Sequence, residues 1–141
     1  MKGSIIIIIL LIVFGCAKTT KKYEVRVLEH CIENKEKEWL ENKLDNNVLY
    51  LFFLSGFKND VIEIKYHDIT FKEKSVITDQ SLGLATVIVI NKNADTNLKI
   101  RVSEGPELVF NPFEYESNKM GVYFKGDTLM CQPFRYAPTF E

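Results

Sequence analysis

Val48-Leu49-Tyr50-Leu51-Phe52-Phe53-Leu54 is apolar at every position, with Asn46-Asn47 before it and Ser55-Gly56 after it. A run this short, aromatic-rich and closed by turn formers on both sides, reads as a β-strand rather than a helix. Side chains alternate across a strand, so a segment apolar on both faces needs cover on both. One face then packs on a second sheet and the other under a helix or loop. Leu84 to Ile90, LATVIVI, repeats the pattern. Two strands of this kind place the chain among layered β proteins.

Working outward, Leu98 to Ser103 shows the cleanest alternation, with Leu98, Ile100 and Val102 on one face and Lys99, Arg101 and Ser103 on the other. A slip of one residue would bury Lys99 and Arg101, so its register is strongly specified. Val61 to Tyr66 alternates likewise and reads as the return strand of a hairpin whose turn is Gly56 to Asp60. His67-Asp68 turns the chain into Ile69 to Lys72, with Val76-Ile77 as a continuation. Thr78 to Gly83 reads as a turn in which Asp79 and Ser81 bond their own backbone and Gly83 takes a positive φ. Asn111-Pro112 confines Leu108 to Phe110 to a sheet border. Met120 to Phe124 and Thr128 to Cys131 form a hairpin around Lys125-Gly126-Asp127. In the tail from Pro133, Phe134 or Tyr136 is expected to tuck into the sandwich.

Upstream, Tyr23, Val25 and Val27 mark a half-buried strand. Between His30 and Asn47 the period changes, and Ile32, Trp39, Leu40 and Leu44 share a helical face. About eight or nine strands and one short N-terminal helix give a mainly β fold. The expected architecture is a two-sheet antiparallel β-sandwich, with a small β-barrel as the alternative.

Lys2, an apolar run from Ile5 to Phe14, Gly15 and Cys16 have the layout of a secretory signal peptide. The run falls short of the ~20 apolar residues that a membrane-spanning helix needs. Val13-Phe14-Gly15-Cys16 resembles the lipobox of bacterial lipoproteins, a resemblance confined to residues 1–16. It implies removal of residues 1–15, lipidation of Cys16, and a bacterial envelope location, lipid-anchored on the outer membrane facing the periplasm or exposed at the surface. Ordinary secretion with Cys16 as a structural thiol is the alternative. The chain then divides into the signal peptide (1–15), the lipidated cysteine with a short solvated tether (16–22), and a single β-rich domain (23–141).

The sequence carries 18 Lys and Arg against 19 Asp and Glu, a net charge of -1. Basic and acidic residues are interspersed, which argues against a nucleic-acid partner, since that needs a concentrated basic face. With Cys16 assigned to lipid, Cys31 and Cys131 form an even pair and a disulfide candidate in an oxidising compartment. His30-Cys31 is the only close pair of soft ligands, so no metal site and no cofactor are expected. No catalytic set assembles either. Ser55 lacks the glycine spacing of a nucleophile elbow, and the neighbours His67 and Asp68 point apart in a strand or turn.

Aromatic residues concentrate in the C-terminal third. Phe113, Tyr115, Tyr136 and Phe140 are the candidate binding patch for an envelope protein or a glycan. The expected function is a non-enzymatic, lipid-anchored binding or scaffold module whose acyl chains hold it to the membrane. An inhibitor or immunity-type protein against an envelope-targeting enzyme is the second reading, and a hydrolase the third.

Overall fold

The structure, a computed structural model, describes residues 20–31, 45 and 47–138. The signal segment, Cys16, all but four residues of the helical segment expected between His30 and Asn47, and Phe140 lie outside these residues. The described strands are β1 (Glu24–Val27), β2 (Val48–Phe53), β3 (Lys58–Tyr66), β4 (Ile69–Ile77), β5 (Thr86–Asn91), β6 (Leu98–Val102), β7 (Glu107–Phe110), β8 (Lys119–Lys125) and β9 (Thr128–Pro133). They form a five-stranded sheet in the order β1-β9-β8-β2-β5 and a four-stranded sheet in the order β4-β3-β6-β7, not closed into a barrel. The first sheet is mixed rather than antiparallel, because β1 pairs β9 and β2 pairs β8 in parallel.

Burial follows the alternation read from the sequence. Ile62, Ile64 and Tyr66 on β3 stand opposite Val102, Ile100 and Leu98 on β6, all exposed by 1% or less. Leu49, Leu51 and Phe53 of β2 face them from the other sheet as part of one contiguous core with Ile88 and Ile90 of β5. Burying a Leu, Ile or Phe side chain fully contributes roughly 1.5–3 kcal/mol. The outer face of the five-stranded sheet is covered over β2 and β8. Val48 and Phe52 are buried there, and Phe134 lies over Gly121 so closely that a Cβ would sit 2.0 Å from its ring. Phe134 is thus tucked against the outside of a sheet, not between the two.

The hairpin expected from β2 to β3 does not form, since the two strands belong to different sheets. β2 is apolar on both faces and takes an interior place between β8 and β5, which leaves β3 to start the second layer. The crossing is made at Gly56, whose φ of 93° and approach to Phe124 (2.5 Å from a built Cβ to the Phe124 Cβ) admit only glycine. Phe57 plugs the corner edge-on to Phe53 and Phe124, with ring centroids 5.6 and 5.3 Å away. Thr78 staples it: its hydroxyl accepts from the Phe57 N–H (3.0 Å) and donates to the Leu54 carbonyl (2.8 Å). β5 departs from expectation in the opposite way, lying at the border of its sheet with Val87 and Val89 exposed on the outer face.

Lys21, expected in the solvated tether, is docked. Its N–H donates to the Ser103 carbonyl (3.0 Å) and its ammonium pairs with the buried Asp60 carboxylate at 2.9 Å. It also lies 4.0 Å from the centre of the Phe124 ring. Asp60 further accepts from Ser103 Oγ (2.8 Å) and from the Lys58 N–H (2.8 Å). Two residues on, the Tyr23 hydroxyl donates to the Pro106 carbonyl (2.7 Å) and accepts from the Val102 N–H (2.9 Å). Burial raises the Tyr23 phenol above its ordinary value, keeping it neutral. Gly105 makes room for that ring, because a Cβ there would lie 2.1 Å from it.

The register carries a direct test. Ile100→Asp places an unpaired carboxylate between two sheets and is expected to cost about 4 kcal/mol or more, whereas Lys99→Thr stays within ~0.5 kcal/mol. Urea unfolding of both variants measures this, and equal losses would contradict the assigned faces.

Candidate functional site

The two ends of the sandwich differ. One end gathers the β2–β3 crossing, the β6–β7 turn at Ser103 to Pro106, the β8–β9 turn at Gly126-Asp127, and Lys21. β1 runs away from it, beginning where Glu24 N–H donates to Asp127 (2.8 Å) and ending where Leu28 N–H donates to Cys131 (2.9 Å). At the opposite end lie Glu29 to Cys31, the β3–β4 turn, the β5–β6 loop, the β7–β8 connection and the chain after β9.

This far end holds a cleft of about 750 Å³ between Glu29-His30 on one side and the β7–β8 connection on the other, with Arg135 at its margin. The connection is shaped by its own sequence. Asn111 ends β7 in an extended conformation, and its side-chain oxygen accepts from Phe113 N–H (3.0 Å), opening a 3-10 turn over Pro112–Glu114 with proline at its first position. The turn throws Phe113 outward and returns Tyr115 inward, edge-on to Phe110 at 6.0 Å. Ser117 then clamps the tail: its hydroxyl donates to the Phe134 carbonyl and accepts from the Lys119 N–H at 3.0 Å.

Beneath the cleft, Asn118 and Lys119 are buried polar residues. The Asn118 amide donates to the carbonyls of Asp45 (3.0 Å) and Val48 (3.2 Å), and its oxygen accepts from the Lys119 ammonium (2.9 Å). Burial raises the Tyr115 phenol above its ordinary value, with Cys131, Glu114 and Glu29 adding to the shift, so at neutral pH it presents a neutral hydroxyl. The lining is polar and of mixed sign, with Glu29, Glu114 and Glu116 against Lys119 and Arg135. Such a surface suits a partner that offers hydrogen bonds and both charges.

Of the predicted patch, the described residues Phe113, Tyr115 and Tyr136 each have a different setting. Phe113 is 48% exposed with the Lys92 ammonium 5.1 Å from its ring centre. Tyr115 is half-buried and packs on the core as much as it lines the cleft. Tyr136 is half-buried, with the Arg135 guanidinium 5.5 Å from its ring. His67 and Asp68 do pair, on an exposed turn at the same end. The polar cleft itself escaped the sequence reading, because its walls come from three segments far apart in the chain.

Cys31 and Cys131 are not joined by a disulfide. Cys131 sits on the core face of β9, and burial pushes its thiol well above the ordinary value, while Cys31 lies exposed on the cleft rim. The bridge expected from the even count fails because the two side chains belong to the inside and the outside of the sandwich. Among the described residues, no group of three or more His, Cys, Asp or Glu side chains is placed to hold a metal ion. Comparison with known proteins gives no match: no protein family, no curated protein and no solved structure corresponds to this chain.

Thiol chemistry tests the placement of the cysteines. In the folded protein iodoacetamide is expected to modify Cys31 and to reach Cys131 on the order of a hundredfold more slowly, since burial holds Cys131 as a neutral thiol and only the thiolate formed on opening reacts. Cys131→Ser is expected to cost about 1–3 kcal/mol by placing a hydroxyl in the apolar core. Comparable native-state rates at the two sites would contradict the assignment.

Proposed function

We propose that this chain is a lipid-anchored binding module of the bacterial cell envelope that works without turnover. Acyl chains on Cys16 hold it to the membrane, and the cleft beside Tyr115 meets a protein or glycan partner. The observation that carries this reading is the opposition of the two ends: the tether docks at Lys21, and the cleft opens at the other end of the strands. From Cys16 to Lys21 the chain spans at most roughly 17 Å. Nine-residue β3 gives the sandwich a length of about 30 Å at ~3.3 Å per residue. A molecule held by Cys16 therefore keeps its Lys21 end near the bilayer and presents the cleft outward.

The chemistry of the far end supports the same reading. A half-buried neutral phenol, an exposed aromatic ring and charges of both signs provide orientation and contact area for a polar partner. Two attached chains hold such a module stably, whereas one does so only marginally.

Photocrosslinking in intact cells tests the proposal. A photoreactive residue at Phe113 is expected to give a reproducible protein or glycan adduct, and one at Lys125 to give none with that partner. Phe113→Ala is expected to weaken the complex at least ~tenfold with the thermal midpoint nearly unchanged, because an exposed hot-spot side chain contributes to binding more than to folding. Cys16→Ser is expected to move the protein out of the membrane fraction. Absence of an adduct at Phe113, or hydrolytic activity abolished by His67→Ala, would overturn the proposal.

A further inference from the structure

Four strands border the two sheets: β1 and β5 in the first, β4 and β7 in the second. Three of them carry the usual protection against further pairing. β1 has Glu24 and Arg26, β4 has Lys72, Glu73 and Lys74, and β7 begins at Glu107 and runs into Asn111-Pro112. β5, TVIVIN, has no charge and no proline. An unprotected border of this kind is a template for another strand.

The free backbone groups of β5 can be assigned. Tyr50 and Leu54 donate to the carbonyls of Asn118, just before β8, and of Val122 within it, both at 2.8 Å, so the odd-numbered residues of β2 are the ones that bond β5. The register sets Leu49, Leu51 and Phe53 opposite Ile90, Ile88 and Thr86. The N–H and C=O of Val87 and Val89 therefore point out of the open border, and no described strand pairs with them.

The same border is open between the layers. On β4, Ile69, Phe71 and Glu73 stand opposite Tyr66, Ile64 and Ile62, so they lie on the core face. Yet Ile69 and Phe71 are 42% and 38% exposed, and no described strand lies beyond β5 to cover them. A groove of about 300 Å³ runs here, with these two side chains on one wall and Ile88 and Ile90 on the other.

We propose that the β5 border accepts an added strand: an extended segment of a partner protein pairs its backbone with Val87 and Val89 and lays alternate apolar side chains on Ile69 and Phe71. Among the described residues, the one charged side chain lining the groove is Glu73, whose carboxylate lies 3.4 Å from the Thr86 hydroxyl, so a fitting strand carries no acid at that end. A second copy of this chain fits less well. Two-fold pairing of identical borders is antiparallel and sets the two Lys21 ends at opposite extremes. With the strands upright on the bilayer, as the anchored reading has them, a tether of at most roughly 17 Å cannot reach it from the far end of a sandwich ~30 Å long. That choice of partner rests on the anchored binding-module reading, whereas the acceptor border itself does not.

The test uses the full chain in detergent micelles and a blocked, fluorophore-labelled seven-residue peptide of alternating valine and threonine ended by lysines. Saturable binding by anisotropy is expected, with slower hydrogen exchange at the Val87 and Val89 amides. The peptide N-methylated at alternate amides is expected to bind at least ~tenfold more weakly, because it cannot complete the ladder. Val89→Pro, which removes an outward N–H and leaves the β2 ladder intact, is expected to weaken binding similarly. No saturable binding, equal binding of the two peptides to the wild type, or a concentration-dependent dimer dissociated by Val89→Pro would overturn the proposal. Should Val89→Pro fail to fold, the comparison of the two peptides on the wild type decides. Membrane release of Cys16→Ser is scored separately, so a failure of lipid attachment is distinguishable from a failure of the acceptor border.

Discussion

β2 is hydrophobic on both faces, and most of the architecture follows from satisfying both. Leu49, Leu51 and Phe53 need the second sheet, while Val48 and Phe52 need cover outside the first. Exposing either set would forfeit roughly 1.5–3 kcal/mol per large side chain. An interior position answers this, with β8 on one side and β5 on the other, and it denies β2 its sequence neighbour as a partner. β3 must then begin a new layer. Gly56, Phe57 and Thr78 serve that crossing, and the pairing of β3 with β4 and β6 builds the second sheet from it.

A buried carboxylate fixes the end at which this layering begins. Burying a carboxylate is costly without partners, and among the described residues Asp60 has three: the Lys21 ammonium, the Ser103 hydroxyl and the Lys58 N–H. Ser103 and Glu104 hold φ values of 46° and 58°, a left-handed turn that costs non-glycine residues and persists only where surroundings hold it. Tyr23 and Asp60 supply that hold. Lys21 is thereby tied to one end of the strands, opposite the end that holds the cleft.

Much of this was legible locally. The alternation of β6, the β8–β9 hairpin, the Asp79 backbone bond and the positive φ of Gly83 follow from side-chain period and turn chemistry and appear as read, whereas the Ser81 hydroxyl bonds the Asp79 carboxylate instead of backbone. The long-range partners were not legible. The parallel pairs β1–β9 and β2–β8 join segments far apart in the chain, and no local pattern specifies them. LATVIVI was misplaced for a related reason: two-sided apolarity marks a strand that needs cover, without saying whether this chain or another supplies it. Asp60, Gly105 and Gly121 read as ordinary turn or strand residues because their constraint comes from Lys21, Tyr23 and Phe134.

Orientation on the membrane is the claim on which the functional reading turns. Single fluorophores at Lys125 and at Glu116, in the lipid-attached protein on vesicles carrying a headgroup quencher, measure it directly. Attachment through Cys16 with Lys21 docked predicts strong quenching at Lys125 and little at Glu116, both abolished by Cys16→Ser. Equal quenching at the two positions, or stronger quenching at Glu116, would contradict it.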